Sequence, residues 1–100
     1  MYGLIVELAA KPAFDGDLEA LLCDLVAAAG PEEGTLFYAA HRLAGQDNAF
    51  VLYELYRDRA AWDAHVGSEV LQQALRRFED WLVVPPKITY CEAVATTPVG

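Results

Sequence analysis

The sequence predicts one α+β domain: an antiparallel four-stranded sheet with helices on one face, its elements running β-α-β-β-α-β. Three observations carry that prediction. Apolar runs rich in strand formers occur near both ends and twice in the middle. The segments between them repeat apolar residues at helical spacing. The two central strand patterns are joined by a short polar connection containing glycine, which reads as a hairpin.

The elements follow in order. Residues 2–10, YGLIVELAA, form a first strand, and Lys11-Pro12 ends it because proline has no ladder donor. Asp15 or Asp17 can cap a helix reaching about Ala29, with Phe14, Leu18, Leu21, Leu22, Leu25, Val26 and Ala29 on one stripe. Gly30-Pro31 stops it, and Glu32-Glu33-Gly34 is a turn. Strand 2 runs from Thr35 to about Leu43, residues 44–48 make the hairpin loop, and strand 3 covers Phe50 to Arg57. Asp58 caps a short helix, Arg59 to Val66. Gly67 interrupts it and Ser68 starts another, whose stripe is Val70, Leu71, Ala74, Leu75, Phe78 and Leu82, with Trp81 at its edge. Pro85-Pro86 stops that helix, a last strand spans Lys87 to about Ala95, and TTPVG is a frayed tail. This is the split βαβ, or ferredoxin-like, plan, and the 100 residues make a single domain, 1–100.

Composition narrows the partners. The net charge of −8 repels phosphate backbones and anionic lipid, so neither nucleic acid nor membrane is expected. No apolar run approaches the ~20 residues of a membrane span, and no basic start leads into an apolar core, so a cytoplasmic protein is expected. Cys23 and Cys91 lack metal-site spacing and sit in apolar stretches, which reads as two buried free thiols. No HxxxH or HExxH spacing, phosphate loop or nucleophile elbow occurs, so no metal and no cofactor is expected.

The strands are apolar on both alternating sets. Strand 3 reads FVLYELY, strand 1 has Leu4, Ile5 and Val6 in a row, and strand 2 runs Leu36 to Ala40. The helical segments can cover one sheet face only. The other would leave an apolar patch in water, so a second copy is expected to cover it, giving a homodimer.

Several residues carry a family likeness: Ala10-Lys11-Pro12, Gly34, His41-Arg42, FVLYE at 50–54, Arg57-Asp58, Ala60-Ala61, Ala64-His65 and Pro85-Pro86. With these the chain resembles the antibiotic biosynthesis monooxygenase domain family over nearly its whole length. The resemblance implies a dimeric α+β barrel with a pocket between sheet and helices. The family includes cofactor-free oxygenases of quinols and anthrones, haem-degrading enzymes and an isomerase of a phosphorylated sugar, so membership fixes fold better than reaction. The chain departs from two branches. Leu52, Tyr56 and Gln72 stand where the anthrone oxidisers carry Asn, Trp and Arg, and residues 68–82 hold no His to ligate haem. Val70-Leu71 replaces the His-Phe common in the quinol-type group, whereas His41, Glu54 and His65 match it.

Leu52, Glu54 and Tyr56 share one face of strand 3, which the likeness turns toward the pocket. Glu54 is the carboxylate in an otherwise apolar strand; burial would raise its pKa and suit it to act as a general base, the bland alternative being a structural ion pair. His65 carries an imidazole, a side chain suited to shuttling a proton, and lies one helical turn from Trp62, a flat wall for a planar ring. His41 is a third candidate, although its strand parity groups it with Phe37 and Ala39, away from Tyr38. Tyr38, Leu52, Tyr56, Trp62 and Phe78 are the expected substrate contacts. The leading expectation is a cofactor-independent monooxygenase acting on a small electron-rich aromatic such as a quinol. The rivals are an isomerase or other proton-transfer enzyme on a small carbonyl compound, and a non-catalytic dimer that binds a small ligand. A phosphorylated substrate would need Arg42, Arg57, Arg76 or Arg77 at the pocket.

Overall fold

The computed structural model describes residues 1–98. The strands are β1 (Tyr2–Ala9), β2 (Thr35–Arg42), β3 (Ala49–Tyr56) and β4 (Lys87–Glu92); the helices are α1 (Asp15–Ala29), α2 (Arg59–Val66) and α3 (Glu69–Trp81). One four-stranded sheet has the order β2-β3-β1-β4, with every neighbouring pair antiparallel. The plan is ferredoxin-like, with the second helical segment split in two at Gly67, as the sequence predicts. Among the described residues no helix is long and apolar enough to cross a membrane.

The register fixes what each face carries. Leu4, Val6 and Leu8 on β1 stand opposite Glu54, Leu52 and Phe50 on β3, and all six are buried. They turn toward the helices. There Leu18, Leu22 and Leu25 of α1 and Leu71, Ala74 and Phe78 of α3 close the core over them. Removing this apolar surface from water contributes about 25 cal/mol per Å² and is the main force holding helices to sheet. The other face is uncovered, and Ile5 and Phe37 on it remain 37% and 45% exposed.

Several element ends differ from the sequence reading. Neither Asp15 nor Asp17 caps α1. A 3₁₀ turn at Pro12–Phe14 leads into the helix, Phe14 holds the cap position, and the Asp15 amide bonds to the Pro12 carbonyl. The Asp15 carboxylate is engaged elsewhere, by Arg42 Nη2 at 2.6 Å. Asp58 and Ser68 do cap α2 and α3, each accepting from a backbone amide three residues on. β4 stops at Glu92, short of Ala95, where its register with β1 ends at Tyr2; beyond it a single bond continues, the Ala93 amide donating to the Met1 carbonyl at 3.2 Å. The tail expected at 96–100 has no regular structure through residue 98; its last two residues lie outside the described ones.

The α3 stripe is narrower than predicted. Leu71, Ala74 and Phe78 are buried, whereas Val70 and Leu75 stay 40% and 39% exposed, because the helix meets the core along one line only. The cysteines are free, but neither is buried: Cys23 is exposed and Cys91 half-buried. Cys23 follows the buried Leu22, and one residue along a helix turns the side chain by about 100°, here out to solvent.

Candidate functional site

A cavity of about 60 Å³ lies between the sheet and the helices. Its wall is mostly apolar, from Val6, Leu25, Leu52, Leu71, Leu75, Phe78, Pro86 and Ile88, with Tyr38, Glu54, Trp62 and His65 supplying the polar atoms. Strand alternation places Leu52, Glu54 and Tyr56 on the helix-facing side of β3, and Tyr38 lies opposite Glu54 in the β2–β3 register. α2 brings Trp62 and His65 over them, their rings 6.1 Å apart.

Among the described residues, Glu54 and His65 are the two buried charged or polar ones, 4% and 3% exposed. The Tyr56 hydroxyl donates to Glu54 Oε1 at 2.5 Å. His65 Nε2 stands 3.9 Å from that same oxygen, too far for a hydrogen bond. Among the described residues it is left without any hydrogen-bond partner, although fully buried. The other ring nitrogen, Nδ1, contacts Glu32 Oε1 at 2.9 Å. Tyr38 and Tyr56 pack their rings on the imidazole, each with centroids 5.4 Å away.

Burial pushes the Glu54 carboxyl above its ordinary value; the Tyr56 hydrogen bond and the nearby His65 work in the opposite sense without cancelling it. Burial, and then the adjoining carboxylates, push the Tyr38 and Tyr56 phenols up, so both remain hydrogen-bond donors. The site thus combines phenol donors, a carboxyl whose pKa is raised by burial and an unpartnered imidazole nitrogen, in an apolar chamber. Such a set can take, hold and return a proton.

Of the predicted site residues, Glu54, His65, Tyr38, Leu52, Trp62 and Phe78 line the cavity, and Tyr56 supports it from behind through Glu54. His41 does not join them. It is exposed on the edge strand β2, opposite Val51, on the face turned away from Glu54, as its parity required. None of Arg42, Arg57, Arg76 and Arg77 lines the cavity, which withdraws the phosphorylated-sugar reading. Arg42 is occupied by Asp15 and Glu19.

The sequence reading missed Glu32, assigning it only to a turn. That turn ends α1, and Thr35 Oγ1 donates to Glu32 Oε1 at 2.9 Å, aiming the carboxylate at His65. The approach of α2 to this turn depends on Gly34, since a Cβ there would collide with the Ala61 Cβ. The sequence offered one signal, a glycine opening strand 2 directly after two acidic residues. No spacing rule connects residues 33 positions apart.

Comparison with known proteins agrees with this architecture. The profile of the antibiotic biosynthesis monooxygenase family matches residues 1–77. The Pseudomonas aeruginosa protein PA3566 is 31% identical with a TM-score of 0.87, the match covering 94% of each chain. Rv0793 of Mycobacterium tuberculosis is 25% identical with a TM-score of 0.90, over 97% of this chain and 98% of that one. A Caulobacter crescentus protein carrying the family's name is 26% identical with a TM-score of 0.87, over 94% of this chain and 90% of that one. No curated protein matches the chain.

Proposed function

This chain belongs to the antibiotic biosynthesis monooxygenase family, and we propose that it is a cofactor-independent monooxygenase acting on a small electron-rich aromatic such as a quinol. One observation carries the reading: a buried, unpartnered imidazole nitrogen faces an apolar chamber next to a buried carboxyl. An unsatisfied buried polar atom costs about 1–3 kcal/mol, and a ligand hydroxyl would satisfy this one.

In the proposed reaction, His65 Nε2 takes the proton of a ring hydroxyl. The phenolate places negative charge on the adjacent ring carbon, which bonds to dioxygen and gives a peroxide that regains the proton from His65. Loss of the hydrogen on that carbon, with cleavage of the O–O bond, leaves a carbonyl and releases water. One quinol and one O₂ become one hydroxyquinone and one H₂O. Glu54 stands on the far side of the imidazole from Glu32 and stabilises the imidazolium while dioxygen adds. Tyr38 can donate to the developing oxyanion.

The chamber of about 60 Å³ is smaller than the roughly 150 Å³ that holds a benzene ring, so the substrate must widen it. An apolar surface groove adjoins the chamber and shares Leu75, Phe78 and Pro86 with it. Leu75 and Ile88, which line the chamber, are 39% and 40% exposed, so widening it there displaces little packed structure. We take the working unit to be a homodimer joined through the uncovered sheet face.

The test is oxygen uptake with a panel of hydroquinones, with ¹⁸O₂ followed into the product by mass spectrometry. Uptake above the protein-free rate, with one labelled oxygen in the quinone, is expected. His65→Ala should return the rate to background, and Glu54→Gln should lower it roughly 100-fold, the scale of one positioned acid–base group. Uptake equal to the protein-free rate across the panel would refute the proposal. Deuterium exchange at a carbon next to a carbonyl without oxygen uptake would favour the proton-transfer alternative.

A further inference from the structure

We infer that Glu32 is a positioning residue for His65: it fixes which ring nitrogen carries the hydrogen, and it does so from a solvent groove separate from the substrate chamber. The inference rests on the proposed role of His65 as proton acceptor. His65 is the residue shared by two spaces. On one side is the apolar chamber; on the other is an open groove of about 390 Å³ lined by Glu32, Glu33, Thr35, Arg57 and small residues of α2. Nε2 points toward the chamber and Nδ1 toward the groove, where Glu32 receives it at 2.9 and 3.2 Å.

A carboxylate has no hydrogen to give. Nδ1 must therefore carry the hydrogen, and in the neutral ring Nε2 is a bare lone pair facing the chamber. Without Glu32, nothing opposes the other tautomer, in which Nε2 carries the hydrogen and cannot accept one. When the ring becomes a cation, carboxylates stand on both sides of it, Glu32 against Nδ1 and Glu54 beyond Nε2. Tyr38 and Tyr56 present phenols to the same ring, and Arg57 is the cation lining the groove. The Glu32 side chain is 27% exposed while His65 is 3% exposed, so the positioning group is reached from water and the base is not. Thr35 anchors Glu32.

The first readout needs no substrate. Nitrogen-15 NMR of the His65 ring in the wild-type protein should show a hydrogen on Nδ1 and a bare Nε2 in the neutral form. A hydrogen on Nε2 would overturn the inference, whatever the protein catalyses. In Glu32→Ala the Nε2–H tautomer should appear, and added formate, entering the open groove, should restore the Nδ1–H form; a spectrum unchanged by the substitution would also overturn it. With a quinol that turns over, Glu32→Ala should lower kcat 10- to 100-fold with KM unchanged, because Glu32 does not line the chamber, and formate should recover part of the loss. A raised KM with unaltered kcat would mean that Glu32 only shapes the chamber. Absence of any turnover alongside the expected tautomer shift would reject the oxygenase reading and leave this inference standing.

Discussion

Glu54 carries a charge-capable group into a strand whose neighbours are almost all apolar, and burial there shifts its proton affinity. Its folded-state pKa lies above the ordinary 4.5, chiefly because burial disfavours the ionised form. The sign follows from proton counting. Above pH 4.5 the unfolded chain has released this proton while the folded chain still holds it, so stability is complete below that pH and falls as pH rises through the folded value. Glu54→Gln keeps the shape and can still accept from the Tyr56 hydroxyl, yet has no charge to desolvate. Thermal melts across a pH series should show the variant melting higher than wild type at neutral and alkaline pH. The gap should close toward pH 4.5. A variant that melts lower than wild type at alkaline pH would contradict this account. Together with the expected loss of turnover, the result would identify Glu54 as a residue held at the expense of stability for the sake of the site.

At the scale of elements, the site depends on how closely α2 packs on the turn before β2. Gly34 allows that approach, and the Arg57 amide donates to the Gly34 carbonyl at 2.9 Å, tying the end of β3 to the same turn. Gly34→Ala forces overpacking against Ala61, and such insertions cost typically 1–3 kcal/mol. For a domain of this size that is a fall in Tm of roughly 4–8 °C per kcal/mol. Ala61→Gly in the Gly34→Ala background removes the collision and should recover stability beyond what independent effects allow, less about 1 kcal/mol for glycine within a helix. Calorimetry of the two single variants and the double variant checks this, and purely additive effects would disprove the contact. The same elements show what was legible in the sequence. α2 begins and ends as its caps predict, because Asp58 and Gly67 act within one turn of the residues they organise. The start of α1 was misread because its outcome is settled at a distance: Asp15 is claimed by Arg42, 27 residues later. Glu54 and His65 could be named from one strand face and one helical turn. Glu32 could not, since its partner comes from a different element and only the folded chain joins them.

For the molecule as a whole, the sheet has two faces and the helices cover one. The uncovered face presents Ile5 and Phe37, with Val51 and Tyr53 half-buried between them. Phe37 and Tyr53 already pack together, their rings tilted by 50° with centroids 5.9 Å apart. Polar groups gather toward one end, where Glu7 and Lys87 approach to 3.6 Å and His41 lies on the exposed edge strand. A second copy laid on this face would bury the aromatic centre and leave the charged end at the rim, the usual arrangement of a stable interface. Each chain carries a charge of −8, so such pairing would be driven by apolar contact against mutual repulsion. The consequence separates the proposed dimer from one held by ion pairs: added salt should tighten it, because screening weakens the repulsion and leaves the apolar contact intact. Sedimentation velocity should give the mass of two chains, with a dissociation constant that falls as ionic strength rises. Phe37→Glu places a charge at the centre of the contact and should weaken association by roughly 30-fold or more, the effect of a hot-spot loss near 2 kcal/mol. A single-chain mass at the concentrations used for assay, or a dimer that dissociates on adding salt, would exclude pairing through this face.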